Sequence, residues 1–264
     1  MTSRVYIPFR LREGGDTRRA LNLEVVQGWW FSHGYEPVIV SDFGSGDAQF
    51  NRHQAFNRAV EENPDEKVFI FTEADMLIHP DQIKQAVAYA EEKRGIVVPF
   101  KEYRYLSDTT TGFIRSNYYD MDSSALAEWW SLPANDMNSI FDMRAESTMS
   151  GGKSIGAVNV VSRLTIEKTG GFTEATSGNW YDDNITDEGF GFLSRRTRWV
   201  AGPAVHLYHL PGWTGDHLTQ ADRDATARNK AILESLRSMI RQGDRMGVRR
   251  IMAQRRDRGS SDGS

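Results

Sequence analysis

Hydrophobic positions in the first hundred residues fall into short blocks that alternate between two periodicities. Val5-Tyr6-Ile7 is an unbroken apolar run closed by Pro8, which lacks the N–H that a sheet ladder needs. A first strand therefore ends there and passes into Phe9-Arg10. After the Gly14-Gly15 turn, Leu21, Val25 and Trp29, with Trp30 beside them, recur at helical spacing and predict a helix over Arg18 to His33, stopped by Gly34. Val38-Ile39-Val40 predicts the second strand, ending in Ser41-Asp42 and a Gly44-Ser45-Gly46 loop, and Ala48 to Glu62 the second helix. Val68-Phe69-Ile70-Phe71 is β-branched and aromatic throughout, the pattern of a strand buried on both faces. Pro80-Asp81 then opens a helix over Gln82 to Lys93, and Ile96 to Phe100 is a fourth strand. Strands alternating with helices predict an α/β fold whose central sheet is mostly parallel and flanked by helices.

The second half is less regular. Lys101 to Ser150 is rich in aromatics, with short helices expected at Ser124 to Ser131 and Asn138 to Arg144. Gly151-Gly152 reads as a turn or a loop able to close over a ligand. Gly156 to Val161 is strand-like, Ser162 to Lys168 a short helix closed by Gly170-Gly171, and Thr186 to Arg196 a longer one. Trp199 to Ala201 and Ala204 to Tyr208 are strand-like, and a final helix is expected from about Thr219 to Arg241. The resulting organisation is one domain over 1–218, in halves 1–100 and 101–218, a C-terminal helix over 219–242, and a flexible, disordered Arg-rich tail over 243–264.

Composition narrows the classes. The chain has 264 residues, a net charge of −4 and no cysteine, which excludes disulfides and thiolate metal sites. No apolar run approaches the roughly 20 residues that span a bilayer and no signal peptide is evident, so a cytoplasmic location without membrane association is expected. The mildly acidic balance argues against binding nucleic acid over the whole surface.

The chemistry gathers at the end of the third strand, where Glu73-Ala74-Asp75 follows the apolar run at once. Residues two apart in extended backbone share a face, so the two carboxylates converge. Open α/β sheets bind ligands outside the carboxyl ends of their strands, and paired carboxylates there suit a hard divalent cation such as Mn²⁺ or Mg²⁺. A solvated acidic loop is the alternative.

VYIPFR, IVSDFGSG, FNRHQAFNRAV, FIFTEADMLIHP and VNVVSRLTIEKTGGFTE, in that order, resemble a GT-A-fold glycosyltransferase over roughly residues 4–213. The likeness is to the superfamily of family 2, galactosyltransferase-like and polypeptide GalNAc-transferase-like enzymes, bacteriophage-encoded members among them. It implies transfer of a sugar from a nucleotide-sugar donor such as a UDP-sugar to an acceptor hydroxyl, with a divalent cation on the diphosphate. Residues 1–100 would then be the nucleotide-sugar-binding half and 101–218 the acceptor and catalytic half. The resemblance implies Asp75 and His209 as metal ligands and Asp187 and Glu188 as the catalytic acid pair. It implies donor contacts from Pro8, Arg10, Asp42, Arg52, Asn57, Glu73 and Gly152.

Several of these assignments have rivals. Asp182-Asp183 competes with Asp187-Glu188, which is preferred because it is expected to open the apolar-spaced helix containing Phe190 and Leu193. His206 competes with His209, but three residues apart on a continuing strand they would face opposite sides. Asp42 is equally a good turn former before glycine. Trp129, Trp130 and Trp180 are candidate sugar-stacking platforms or core residues. Whether the anomeric configuration is inverted or retained stays open, as does the acceptor: a virion protein, a modified DNA base or a glycan. A nucleotidyltransferase, with Arg12, Gly14-Gly15, Arg18 and Arg19 as its phosphate loop, and a non-catalytic carbohydrate- or nucleotide-binding module are the alternatives.

Overall fold

In the computed structural model the described residues are 4–117, 143–147, 155–178, 180–212 and 214–256. Ten strands lie among the described residues: β1 Arg4–Pro8, β2 Glu36–Val40, β3 Val68–Thr72, β4 Met76–Ile78, β5 Ile96–Val98, β6 Glu102–Leu106, β7 Met143–Ser147, β8 Val158–Ser162, β9 Arg198–Trp199 and β10 Pro203–His206. Eight helices lie among the described residues: α1 Arg18–Ser32, α2 Arg52–Glu62, α3 Pro80–Glu92, α4 Asp108–Asn117, α5 Arg163–Thr169, α6 Asp182–Leu193, α7 Gln220–Gln242 and α8 Arg245–Met252.

The central sheet has six strands in the order β2-β1-β3-β8-β5-β9. It is mostly parallel, but β8 runs antiparallel to both β3 and β5. The crossover through α3 leaves a one-strand gap between β3 and β5, and β8 fills it with all five residues buried. Beneath the acidic segment Glu73–Asp75, Phe71 stacks on Phe56 of α2 at 4.1 Å and meets Phe172 edge-on at 5.6 Å. Phe172 in turn lies 5.1 Å from Phe190 of α6, so one aromatic cluster joins β3, α2, α6 and the Gly170–Glu174 loop.

A second sheet, β4-β10-β6-β7, sits at the carboxyl end of β3. β4 and β6 were not expected, β4 because three residues are too few for a period to register. Four further expectations change. α2 begins at Arg52, where the Asn51 side chain caps it, and not at Ala48. Met143 and Arg144, expected to end a helix, belong to β7. α6 begins at Asp182, four residues before the expected Thr186. The Arg-rich tail is folded up to Arg256: Asp244 caps α8, and Val248 and Met252 are buried. Their apolar spacing was masked by the arginines around them.

Candidate functional site

Asp75 stands three residues past the end of β3 and is wholly buried. The antiparallel register of β10 on β4 sets His206 opposite Met76, and the Leu207 N–H donates to the Asp75 carbonyl at 2.8 Å. Beyond β10 the chain is no longer a strand, so His206 and His209 need not alternate. The turn is fixed by the Tyr208 N–H on Thr111 Oγ1 (2.8 Å), by Asn22 and Arg115 donating to the Tyr208 carbonyl, and by the Leu210 N–H on Asp16 (2.8 Å). Both rings consequently reach the same carboxylate. His209 Nε2 lies 3.0 Å from Asp75 Oδ2 and His206 Nε2 lies 3.8 Å from Oδ1. The expectation that the two histidines face apart is corrected, and His206, set aside in the sequence, joins the cluster.

These three residues offer ligand atoms within 4.8 Å of one another. Both Asp75 oxygens are buried, and despite the nearby imidazoles neither accepts a well-aligned hydrogen bond among the described residues. His209 Nδ1 lies 2.7 Å from the Leu210 carbonyl, which can only accept, so this nitrogen carries a proton and Nε2 faces Asp75. A lone pair and a carboxylate 3.0 Å apart repel unless a proton or a cation lies between them. Burial opposes the Asp75 charge, but His209, His206 and Arg19 outweigh it and hold the carboxylate well below its usual range. Burial also depresses His209, but Asp75 overrides this and raises it, whereas His206 is pushed down to about 4. One carboxylate and two imidazoles, one of them oriented by a backbone carbonyl, are a donor set that fits a divalent cation.

Of the cluster, His209 lines a cleft of about 700 Å³ whose walls also include Pro8, Arg10, Arg12 and Arg19. Arg10 is tied to Asp42 at 2.7 Å and Arg12 to Asp222 at 2.7 Å. Arg19, on the first turn of α1, places Nε 3.7 Å from Asp75 with no hydrogen-bond partner for that atom among the described residues. The Asp42 carboxylate accepts from Arg10 and from the Asn51 N–H (2.9 Å), which braces the cleft wall.

Beside the cluster lies a second group of charges. Arg52 donates to Asp182 at 2.7 Å and 2.9 Å and pairs with Glu73. Glu73 therefore points to Arg52 and away from Asp75's ligand group, and burial raises its pKa. Asp183 is half-buried and makes no ion pair among the described residues. Burial, followed by its neighbour Asp182, pushes its pKa up to about 6. Burial likewise opposes the charge of Asp182, but Arg52 outweighs it and the pKa falls.

Asp187 and Glu188 sit more than a turn further along α6. Asp187 accepts from Thr197 Oγ1, and Glu188 forms a forked pair with Arg237 of α7 at 2.6–3.0 Å. They fasten α6 to its neighbours. The ground for preferring them, that they open the helix, is removed, and Asp182-Asp183 occupies the first turn instead. Asn57 does not face the cleft either: its buried amide donates to the Phe172 carbonyl (2.7 Å) and Glu174 (2.8 Å) and accepts from the Phe172 N–H (3.0 Å). Trp180, 46% exposed, precedes the acid pair in left-handed backbone, as does Tyr181. Gly152, Trp129 and Trp130 lie outside the described residues.

Three solved glycosyltransferases are similar to this chain. Glucosyl-3-phosphoglycerate synthase from Mycobacterium tuberculosis, with Mn²⁺, UDP-glucose and phosphoglyceric acid, is 12% identical over 88% of this chain and 80% of its own, with a TM-score of 0.47. A Drosophila β1,4-galactosyltransferase 7 mutant with manganese, UDP-Gal and xylobiose is 12% identical over 84% and 78%, with a TM-score of 0.45. A glycosyltransferase involved in glycosylation of the major capsid of PBCV-1 is 10% identical over 89% and 100%, with a TM-score of 0.41. No protein-family model and no curated protein matches the sequence. Likenesses this distant decide neither chemistry nor substrate, which rest on the residues of the site.

Proposed function

We propose that this chain is a divalent-metal-dependent glycosyltransferase that moves a sugar from a nucleoside-diphosphate sugar to an acceptor hydroxyl. The observation that carries the reading is the Asp75–His206–His209 cluster, its carboxylate buried and unsatisfied, at the mouth of an arginine-lined cleft with a second acid pair close by. Asp75, His206 and His209 would hold the cation, which when bound supplies Lewis-acid stabilisation of the departing diphosphate. Two imidazoles beside a single carboxylate suit Mn²⁺ better than Mg²⁺.

The chain's own groups divide the remaining work. Arg19, which pairs with Asp75 and lines the cleft, would meet the diphosphate, while Pro8 and Arg10 line the nucleotide end of the cleft. Asp183 takes the proton from the acceptor hydroxyl, the role of a base in an inverting reaction. Arg52 lies between Glu73 and Asp182 and pairs with both, leaving Asp183 as the carboxylate without an ion pair, the one that exchanges a proton. Hydroxyls on a virion protein, a modified DNA base or a glycan all meet this requirement. The nucleotidyltransferase alternative loses ground because Arg12 and Arg18, two of its phosphate-loop cations, are paired with Asp222 and Asp16.

Calorimetry with UDP and Mn²⁺ tests the reading. Wild-type protein should bind UDP more tightly with Mn²⁺ than without it. Asp75→Asn should abolish that metal-dependent gain while leaving the circular-dichroism spectrum and Tm close to wild type. A gain of equal size in Asp75→Asn would remove the metal centre from the proposal.

A further inference from the structure

The residues after α8 do more than end the chain. Glu174 closes the Gly170–Glu174 loop and is buried. Its carboxylate accepts from Gln54 (3.2 Å) and Asn57 (2.8 Å) of α2, and its carbonyl accepts from Asn51, the α2 cap (2.9 Å). The opposite side of the same residue is held by the C-terminal segment. The Glu174 N–H donates to the Gln254 carbonyl at 2.9 Å, and the Arg256 N–H donates to Glu174 Oε2 at 3.1 Å. Arg255 lies between: its guanidinium donates to the Gly170 carbonyl (2.9 Å) and the Phe172 carbonyl (3.1 Å) and is 3.5 Å from the Glu174 carboxylate. Gly171, in left-handed backbone, leaves the space that this guanidinium fills, and Gly189 of α6 leaves room for Met252. The segment thus touches the loop that orients α2, whose first residue Arg52 fixes Glu73 and Asp182, while Met252 of the preceding helix α8 packs on the helix that carries Asp183.

We propose that Gln254–Arg256 is a latch, with Arg255 and Glu174 as positioning residues that hold Arg52 and the Asp182–Asp183 turn in register for proton transfer. The role in catalysis rests on the glycosyltransferase reading; the mechanical role does not. The metal ligands are Asp75 between β3 and β4, His206 of β10 and His209 of the 207–210 turn, none of which the latch touches. The latch therefore acts on turnover and leaves donor binding alone. Arginine is required because one planar fork serves two carbonyls and a carboxylate at once, which an ammonium cannot reproduce.

The test compares Arg255→Ala, Arg255→Lys and Glu174→Gln with the wild type by amide hydrogen exchange, by UDP–Mn²⁺ calorimetry and by metal-dependent hydrolysis of a UDP-sugar donor. The latch predicts faster exchange confined to residues 170–186, UDP affinity within about twofold of wild type, and turnover lower by roughly 10–100-fold with KM little changed. Arg255→Lys should fall between, and carries the test with Glu174→Gln if Arg255→Ala fails to fold. Unchanged exchange over 170–186, or exchange raised equally in β1, β3 and β8, overturns the latch. If wild type shows neither metal-dependent UDP binding nor hydrolysis while exchange responds as predicted, the latch stands and the glycosyltransferase reading falls.

Discussion

A carboxylate that takes a proton from an acceptor must be free of an ion pair and deprotonated at working pH, and the neighbours Asp182 and Asp183 divide on these terms. Asp182 is bound to Arg52 by two hydrogen bonds and has its pKa lowered, so it is a poor proton acceptor. Asp183 makes no ion pair among the described residues, accepts from the Asn184 N–H at 2.7 Å and is half-buried, with its pKa raised by burial to about 6. A base with a raised pKa works only above that pKa. Turnover should therefore rise with pH through about 6 and level off at higher pH. Asp183→Asn should lower kcat by roughly 10²–10⁴-fold with donor affinity nearly unchanged. Glu188→Gln should leave turnover intact, since it breaks only a partly exposed ion pair worth about 0.2–1 kcal/mol. A steady-state pH series on both variants decides the matter, and normal turnover in Asp183→Asn would return the role to the acids further along α6. Asp75 was legible in the sequence because a carboxylate directly after a buried run marks a strand end. His206 was not, because its position depends on β10 stopping there, and that depends on pairing with β4.

At the scale of elements, the alternating pattern located β1, β2, β3 and α1–α3 to within a few residues, since each carries an unambiguous period or a turn signal. It could not show that β8 runs against its neighbours, because a mostly apolar strand reads the same in either direction. The start of α6 was misplaced for a related reason. Tyr181, the residue before it, has left-handed backbone, and no side chain caps the helix, so the usual Ser, Thr, Asp or Asn signal is missing. What shapes this turn is a neighbour distant in sequence. A Cβ on Gly156 would lie 2.6 Å from the Asp183 Cβ and 3.0 Å from Arg52 Nη2. Gly156 is therefore the floor on which the acid turn rests. Gly156→Ala should push Asp183 out of register, with turnover lower by about 10–100-fold. UDP–Mn²⁺ affinity should stay near wild type, because the metal ligands lie on other elements. Kinetics and calorimetry on this one variant separate the two, and unaltered kcat would show that the turn can shift without consequence.

For the whole molecule, the concentration of arginine toward the C-terminus first suggests an electrostatic arm for a polyanionic acceptor such as DNA. Folding changes that account. Arg237 is paired with Glu188, Arg245 donates to the Phe192 and Leu193 carbonyls at the end of α6, and Arg255 donates to the Gly170 and Phe172 carbonyls. Residues 257–264 hold Asp257, Arg258 and Asp262, a net charge of −1 (one arginine against two aspartates), so the segment past Arg256 is not basic. Arg241, Arg249, Arg250 and Arg256 remain without an acidic partner among the described residues, on an otherwise acidic chain of net charge −4. Each phosphate neutralised contributes about −0.9 to the slope of log K against log salt, so these four arginines allow a slope no steeper than about −4. A mobility-shift titration of duplex DNA across several salt concentrations should give weak binding within that limit, unchanged by truncation after Arg256. A slope near −6, about seven phosphates, would mean that Arg237, Arg245 and Arg255 leave their carbonyl and carboxylate partners to reach the phosphates, and Arg255 could not then serve as a latch while DNA is bound.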